Sequence, residues 1–495
     1  MSSLMRWLSF SLLSSMLVAL GGCSSIIGPD PERLGGTSDS GPPRLMDGGV
    51  DPVRDADVPP PDDADVPPPE DADVPPPTDA GCALEPRCAE DTVTTCDGTE
   101  VCLLGCAPSG EPRCAEMVPS NVPATLWLAD APDLVVETAG EPLFFDTTEC
   151  MARMAPSRVQ TQADGSQVCV ISVGDFVIRS RSALVVRGAR PLVIMADGDV
   201  LIEAEAALDV SARGPTPGPG GGRGGLPSMP DGAGASPGEG GDHVGTYDDG
   251  GGGGGGGCGA GGEGGTGDDA SGGAGGGAVS AAFLIPLRAG SGGGLGEGGR
   301  GSSGGPGSTP EGNTGLGGAG GGAVQISARG SIEVQGFVLA GGGAGQGAGN
   351  DDRYTNWGAG GGGGSGGAIL LEAPSITLGD GSGVTTSGGG GGGAGGESRA
   401  GEDGAEGAMT LGRAAGGGGG GFRYGGNGGD GGGGAALDGE AGTDRTQGGS
   451  NGGGGGGGAG CVVYRTRDGS GPPNAPMRTS GSVGPSLSTA PIQLR

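Results

Sequence analysis

The chain has 495 residues, of which 128 are glycine, and carries a formal net charge of −32 at pH 7. This charge argues against binding to nucleic acid or to an anionic surface, and the absence of lysine excludes a Walker-type phosphate loop. Because only 33% of the residues are hydrophobic, any core has to be a narrow one.

The first 22 residues have the pattern of a secretory signal peptide. Arg6 precedes an apolar stretch over 7–20 that is too short to cross a bilayer. The segment 20–23, Leu-Gly-Gly-Cys, resembles the signal box of bacterial lipoproteins, which implies cleavage before Cys23 and its acylation. A chance cysteine after an ordinary signal peptide is the alternative. Ser24 resembles a sorting signal for the outer membrane, so we expect acyl chains to tether the protein there.

Residues 23–81 form a predicted disordered stalk rich in aspartate and proline. The unit Asp-Ala-Asp-Val-Pro-Pro-Pro begins at Asp55, Asp63 and Asp71. Triple prolines favour the polyproline II helix, and the aspartates resist collapse. We expect a stalk that lifts the rest of the chain off the membrane; a ligand for a proline-recognition domain is the alternative.

Residues 82–118 contain a cluster of cysteines. Setting Cys23 aside, the 11 cysteines of the chain leave an even number, which favours disulfides in an exported protein. A zinc site is the alternative, but no histidine is near and no Cys-x2-Cys spacing occurs. A module this small needs covalent links because it cannot build a core of its own. The cluster comprises Cys82, Cys88, Cys96, Cys102, Cys106 and Cys114.

Residues 119–213 are predicted to form a cap and the regular coils of a parallel β-helix. Apolar triplets recur every eight residues, and their first and third residues are apolar, which is typical of a strand with one buried face. Three triplets with short corners make one coil of 24 residues. We expect Cys169, in the middle of the first triplet, to point outward and to pair with Cys150. The triplets begin at Val168, Phe176, Leu184, Leu192, Val200 and Leu208.

Glycine dominates residues 214–460, and the strand pattern returns near 323–340 and 368–388. We predict polyglycine II-like helices that pack side by side, because no side chain keeps them apart; floppy isolated loops are the alternative. Cys258 and Cys461 either clasp the ends of this region or pair between molecules. The composition resembles glycine-rich domains of some mycobacterial surface proteins and animal receptor kinases. A C-terminal strand and tail occupy 461–495.

Few features of the glycine region point to chemistry. The single histidine, His243, has no local serine or cysteine partner, so we predict no catalytic residue. Acidic pairs at 248–249, 268–269 and 351–352 could hold Ca2+ or act as acid and base in a polysaccharide-cleaving β-helix, with solvated loop charges as the alternative. Residues 425–430 match the start of a calcium-binding nonapeptide, but the match is single and position 432 is Gly, which indicates a chance match. Ca2+ is thus the one candidate cofactor, and otherwise we predict no metal site. The candidate ligand contacts are the aromatic residues Tyr354, Trp357, Phe422 and Tyr424.

These features predict an all-β chain: a right-handed parallel β-helix with glycine-rich insertions, preceded by a disulfide module and a disordered stalk. The arrangement resembles glycine-rich surface lipoproteins of myxobacteria, which implies no particular activity. We predict a non-enzymatic outer-membrane or cell-surface lipoprotein with a structural or adhesive role. Its expected partners are the membrane, through the lipid, and extracellular polysaccharide or other surface proteins. The alternatives are a carbohydrate-active β-helix enzyme and a calcium-dependent matrix-binding protein.

Overall fold

The computed structural model describes residues 86–494, apart from 90, 97, 103, 108–109, 139, 153–154, 245–247, 281–283, 299–313, 352–355, 397–398, 408–410, 422–424, 446–449, 476–478 and 481–487. The expected signal peptide, the lipidation site Cys23, the stalk and Cys82 lie outside these residues. Within the described ranges, no helix is long and apolar enough to cross a membrane.

The described chain is nearly all β, with about 30% of its residues in strands and about 1% in helix. A 3-10 turn spans Ala124–Leu126. The strands are β1 (Arg87–Ala89), β2 (Thr92–Thr95), β3 (Gly98–Val101), β4 (Met117–Val118), β5 (Leu134–Val136), β6 (Leu143–Asp146), β7 (Ser157–Thr161), β8 (Gln167–Val173), β9 (Phe176–Ile178), β10 (Ala183–Arg187), β11 (Leu192–Ala196), β12 (Val200–Ile202), β13 (Ala207–Asp209), β14 (His243–Val244), β15 (Asp248–Asp249), β16 (Ala323–Ala328), β17 (Ser331–Val334), β18 (Phe337–Leu339), β19 (Asn350–Asp351), β20 (Asn356–Trp357), β21 (Ala368–Glu372), β22 (Ser375–Leu378), β23 (Gly383–Thr385), β24 (Cys461–Thr466), β25 (Thr479–Ser480), β26 (Ser488–Pro491) and β27 (Gln493–Leu494).

Three sheets of mainly parallel strands form the body of the protein. The six-stranded sheet has the order β25-β23-β18-β13-β10-β6, the seven-stranded sheet β26-β24-β21-β16-β11-β8-β7, and the five-stranded sheet β22-β17-β12-β9-β5. Within these sheets β7 runs antiparallel to β8. The parallel sheets and the all-β character agree with the sequence prediction.

Successive strands visit the three sheets in turn. β8, β9 and β10 belong to the seven-, five- and six-stranded sheets, and β11, β12 and β13 repeat that order. Val200 pairs with Phe176, and Ala207 pairs with Ala183, so these partners are 24 positions apart in the printed sequence. Each set of three strands, one from each sheet, is called a repeat below.

The principal hydrophobic core lies between the inner faces of the three sheets. Leu192, Ile194 and Ala196 of β11 all belong to it and are at most 1% exposed. Between the inward residues, outward ones such as Glu333 of β17 face solvent. Because each strand contributes only alternate residues, a chain with 33% hydrophobic residues can maintain a core through every repeat.

The first predicted triplet is wrong by one residue. β8 aligns Cys169 with Leu192 of β11, an inner-core residue, so Cys169 shares the inner face and does not point outward. Ile171 follows it on that face, whereas Val168 belongs to an apolar cluster on the outer face. The disulfide between Cys169 and Cys150 is nevertheless present. The pattern was ambiguous because β8 is apolar on both faces.

A second apolar layer covers the outer face of the seven-stranded sheet. Val193, Leu370 and Val463 of this sheet belong to one cluster with Met117 and Trp127 from the chain preceding β5. β27 pairs antiparallel with β4, so the end of the described chain joins the same cover. Strands buried on both faces carry continuous apolar runs, which is the sequence pattern of β11 and β21.

All three glycine-rich insertions leave the body at the same corner. Residues 210–322 connect β13 to β16, residues 340–367 connect β18 to β21, and residues 386–460 connect β23 to β24. Each insertion leaves the six-stranded sheet and returns to the seven-stranded sheet one repeat further on. Because neighbouring strands are about 4.8 Å apart, the insertions begin and end side by side.

Extended glycine runs pack into one hydrogen-bonded body, called the glycine lattice below. At its centre, the N–H groups of the run 251–256 donate in rotation to three other runs, with N–O distances of 2.8 to 3.0 Å. These acceptor runs are 232–241, 259–267 and 358–367. The carbonyl groups of the central run accept from three further runs, 271–279, 290–298 and 451–460. The acceptor run therefore repeats every three residues, which is the period of the polyproline II helix.

The centre of the lattice has no room for side chains. A Cβ atom at Gly254 would lie 2.0 Å from the carbonyl oxygen of Gly456, and one at Gly252 would lie 2.2 Å from that of Gly294. Only glycine therefore fits at these positions. The central runs are ordered by their neighbours' backbones, and they are not isolated loops.

The cysteine module is a small antiparallel sheet of β1, β2 and β3. Every cysteine among the described residues is disulfide-bonded, including Cys96. The intramolecular bond between Cys258 and Cys461 corresponds to the predicted clasp rather than to pairing between molecules. The described pairs are Cys88–Cys106, Cys102–Cys114, Cys150–Cys169 and Cys258–Cys461.

Candidate binding surface

The two ends of the glycine lattice differ in their surroundings. One end of the central run lies against the sheets, because Cys258 is bonded to Cys461, the first residue of β24. At the other end, Asp249 forms a backbone bridge to Asn451, which also bridges Gly425. This second end gathers the turns between runs, away from β24.

Two more turns join this end of the lattice. A Cβ atom at Gly267, where the turn 267–270 begins, would lie 3.0 Å from the backbone nitrogen of Asp249. Glu297 donates its N–H to the Gly250 carbonyl at 3.2 Å, and the adjacent Gly298 bridges Gly358. The loop end is defined here as the described residues within 243–249, 267–270, 297–298, 350–358 and 450–451.

Each of the three predicted acidic pairs has a described residue at the loop end. Asp249 is buried in β15, whereas Asp268 and Asp269 are exposed in the turn 267–270. Asp351 pairs with Asn356 in the hairpin of β19 and β20. The sequence presents these pairs as separate features, and the topology collects them because every insertion turns back at the same end.

The predicted aromatic contacts can be placed only in part. Trp357 ends β20 and precedes Gly358, so its backbone belongs to the loop end. Tyr354, Phe422 and Tyr424 lie outside the described residues, as does Asp352. The residue that follows Tyr424, Gly425, is bridged to Asn451 of the loop end.

His243, to which sequence analysis gave no role, has a carboxylate partner. Its Nδ1 lies 2.6 Å from Oδ1 of Asp249, and the strands β14 and β15 place the two residues opposite each other. Asp249 is fully buried, whereas the side chain of His243 is 26% exposed. Among the described residues, no serine, threonine or cysteine side chain is hydrogen-bonded to His243, so a nucleophile–His–acid triad is not assembled there.

A pocket of about 720 Å³ opens beside His243. Proline and leucine side chains form part of its wall, and four carboxylates line it together with His243. The described residues provide no arginine paired with any of these four carboxylates. The pocket therefore has the charge to attract cationic groups. The carboxylates belong to Asp231, Glu239, Asp242 and Glu297.

The partial calcium nonapeptide has a structural role in the lattice. Oδ1 of Asp430 accepts a hydrogen bond from the N–H of Gly416 at 2.8 Å, and Oδ1 of Asn427 accepts one from Gly419 at 2.8 Å. At the lattice edge, each of these side-chain oxygens takes the place of the backbone carbonyl that would accept the hydrogen bond inside the lattice. The two residues are three positions apart, which is the period of the lattice. Within the described residues, no group of three or more His, Cys, Asp or Glu is positioned to hold a metal ion.

Glu372 of β21 is a buried carboxylate that the sequence pattern did not predict. Ser327 and Gln325 donate to its Oε2 at 2.8 and 2.9 Å, and the hydroxyl of Ser120 donates to Oε1. Burial raises the pKa of Glu372 above its ordinary value, although the serine hydrogen bonds and the charge of Arg465 act in the opposite direction. Because Glu372 is only 2% exposed, it attaches the segment around Ser120 to the sheet and is closed to a polymeric substrate.

No protein-family model, curated protein or solved structure matches this chain. Function is therefore inferred from the chain's own geometry. That geometry consists of a three-sheet body, a glycine lattice attached at one corner, and a surface of acidic turns at the far end of the lattice.

Proposed function

We propose that the body is a right-handed parallel β-helix and that the insertions form a polyglycine II-like lattice beside it. Strands that visit three sheets in turn support the first part, since such an order winds the chain around one core. The three-residue rotation of hydrogen bonds in the central run supports the second part.

We propose that the protein is a non-enzymatic adhesive lipoprotein of the outer membrane or cell surface. The observation that carries this proposal is the loop end itself: a lattice in which Gly254 and its neighbours leave no room for side chains holds a set of acidic turns at one end. A rigid support reduces the entropy that loops lose on binding. Cys23 would carry the lipid, and the stalk over 23–81 would provide the reach.

Binding of the purified chain from residue 24 onward to a printed array of polysaccharides tests this function. Asp268→Asn combined with Asp269→Asn changes two exposed loop-end carboxylates and is expected to lower binding to the polysaccharides that the parent protein retains. Glu100→Gln combined with Glu111→Gln changes the same charge at exposed positions of the cysteine module and is expected to leave binding unchanged.

The same array separates adhesion from the enzymatic alternative. Release of soluble reducing ends or unsaturated sugars from a bound polysaccharide would replace the adhesive proposal with a carbohydrate-active one. Binding that requires added Ca2+ and disappears with chelator would favour the calcium-dependent matrix-binding alternative. Absence of binding to every polysaccharide, and to the outer surface of intact bacteria, would contradict adhesion.

A further inference from the structure

An apolar groove opens onto the start of the hydrophobic core. Its volume is about 600 Å³, and it lies where the first repeat is not covered by another. Leu134, Ile171 and Leu184 of the inner core line its floor. The wall includes Phe144 of β6 and Met151. The groove thus continues the core to the surface.

Two exposed apolar side chains line this groove, and two more lie on strands of the same end of the body. Phe144 is 69% exposed and Met151 is 70% exposed. Val135 of β5 and Val159 of β7 are also exposed, at 43% and 40%. Contiguous exposed apolar surface marks interaction sites in soluble proteins.

The backbone beside the groove is also open. β6 is the last strand of the six-stranded sheet, and β5 is the last strand of the five-stranded sheet. Among the described residues, no strand lies beyond either of them. An edge strand presents unpaired N–H and C=O groups that can pair with another extended chain.

The charge around the groove restricts what can occupy it. In the stretch 131–161, carboxylates outnumber arginines, and Asp146 and Glu149 line the groove itself. An aspartate-rich stalk and a second copy of this acidic chain would both bring like charge to this rim. A bilayer would leave the edge groups of β6 without hydrogen bonds. The charged residues of this stretch are Asp133, Glu137, Glu141, Asp146 and Glu149 against Arg153 and Arg158. Two arginines of the neighbouring chain, Arg187 opposite Asp146 and Arg190 at the carbonyls of Thr147 and Thr148, reduce this excess of carboxylates without reversing it.

We propose that the groove binds an extended polypeptide segment in which apolar residues alternate with arginine or lysine, and that this segment adds as a strand to β6. Alternate side chains of an added strand point to opposite faces. The apolar ones would lie over Leu143 and Phe145, which pack against the core, and the basic ones would lie on the outer face of β6 beside Phe144 and Asp146. The occupant is therefore a protein partner of opposite charge.

A fluorescein-labelled nine-residue peptide of alternating valine and arginine tests the proposal by fluorescence anisotropy against the chain from residue 24 onward. We expect binding that weakens as salt is raised, and no binding of the matched valine–glutamate peptide. Phe144→Ser should weaken binding of the valine–arginine peptide about threefold, because a basic side chain on the outer face of β6 would lose its contact with the ring. Hydrogen exchange of β6 amides should slow when that peptide is bound.

Met229→Ser is the matched control, because Met229 is also a largely exposed apolar residue, at 46%, but lies on a lattice turn. It should leave peptide binding unchanged. Equal binding by the Phe144→Ser and parent proteins would overturn the proposal, since the peptide would then be held elsewhere on the acidic surface. A dimer in sedimentation velocity that Phe144→Ser abolishes would assign the groove to a second copy instead.

Discussion

Asp175 and Asp199 occupy the same corner of two successive repeats, and Oδ1 of Asp175 accepts a hydrogen bond from the backbone N–H of Asp199 at 2.8 Å. In the same way, Oδ1 of Asp133 accepts a hydrogen bond from the backbone N–H of Asp175, and Oδ1 of Asp199 accepts one from that of Ser331. A Cβ atom at Gly198, which precedes Asp199, would lie 2.0 Å from the Asp175 carboxylate. The corner aspartates therefore form a ladder of hydrogen bonds that joins each repeat to the next, and the glycine before Asp199 leaves room for the carboxylate of the preceding repeat.

Asp175→Ala should lower the free energy of unfolding by about 1 kcal/mol, because the N–H of Asp199 loses its acceptor. Asp175→Asn keeps an oxygen at Oδ1 and should lose less. Urea denaturation of the three proteins measures the difference. Equal losses for alanine and asparagine would show that the corner depends on charge and not on the hydrogen bond.

Gly254→Ala should destabilise the protein by about 3 kcal/mol, the upper part of the range for overpacking, because its Cβ would lie 2.0 Å from a carbonyl oxygen. Gly277→Ala is the matched control: its Cβ would meet only the hydroxyl oxygen of Ser236, at 3.8 Å. We expect that change to stay within about 0.5 kcal/mol. Calorimetric melting compares the two, and similar melting temperatures would contradict a close-packed lattice.

Glu372 should make stability depend on pH. Its pKa in the folded protein is raised above the ordinary value of 4.5, so its contribution is fully present below that pH and is lost as pH rises through the folded pKa. Glu372→Gln cannot titrate. The melting temperature of the parent protein should therefore fall relative to that of the variant as pH rises above about 4.5. Glu333→Gln, an exposed change in β17, is the control; a constant difference for Glu372→Gln would contradict the raised pKa.

Replacing Cys258 and Cys461 with serine should cost more stability than replacing Cys150 and Cys169. The first disulfide joins residues 203 positions apart and the second joins residues 19 apart. Loop-closure entropy gives about 5 and about 3 kcal/mol for loops of these lengths. Guanidinium denaturation of the two double variants measures the order, and a larger loss for Cys150 and Cys169 would mean that local packing outweighs the loop.

The strands could be predicted from sequence wherever one face is buried. The alternation at Phe176, Leu184 and Val200 identifies the inner face because the intervening residues are less buried. At Val168 the rule failed, because β8 is covered on both faces and its period is hidden. The second apolar layer, which covers the outer face of the seven-stranded sheet, includes residues from Met117 to Trp127 and Leu287. These residues have no periodic pattern in the sequence that would assign them to this sheet.

The lattice contacts could not be predicted residue by residue. A run such as 251–256 contains only glycine, so nothing in its side chains specifies whether it pairs with 259–267 or with 358–367. The three-residue spacing of Asn427 and Asp430 matches the period of the lattice edge, but in the sequence it is equally a fragment of a calcium-binding nonapeptide. His243 and Asp249 are six residues apart, yet only the β14–β15 hairpin shows that they are partners.

Because all three insertions leave the body at one corner, the lattice can change in length without a change in the three sheets. Since 210–322, 340–367 and 386–460 all leave β13, β18 or β23 and return to the next strand of the seven-stranded sheet, an insertion can lengthen by an outgoing and a returning run without moving any strand. The unequal lengths of the three insertions are what such stepwise duplication would leave behind. A lineage could thus acquire new turns at the loop end while inheriting an unaltered scaffold.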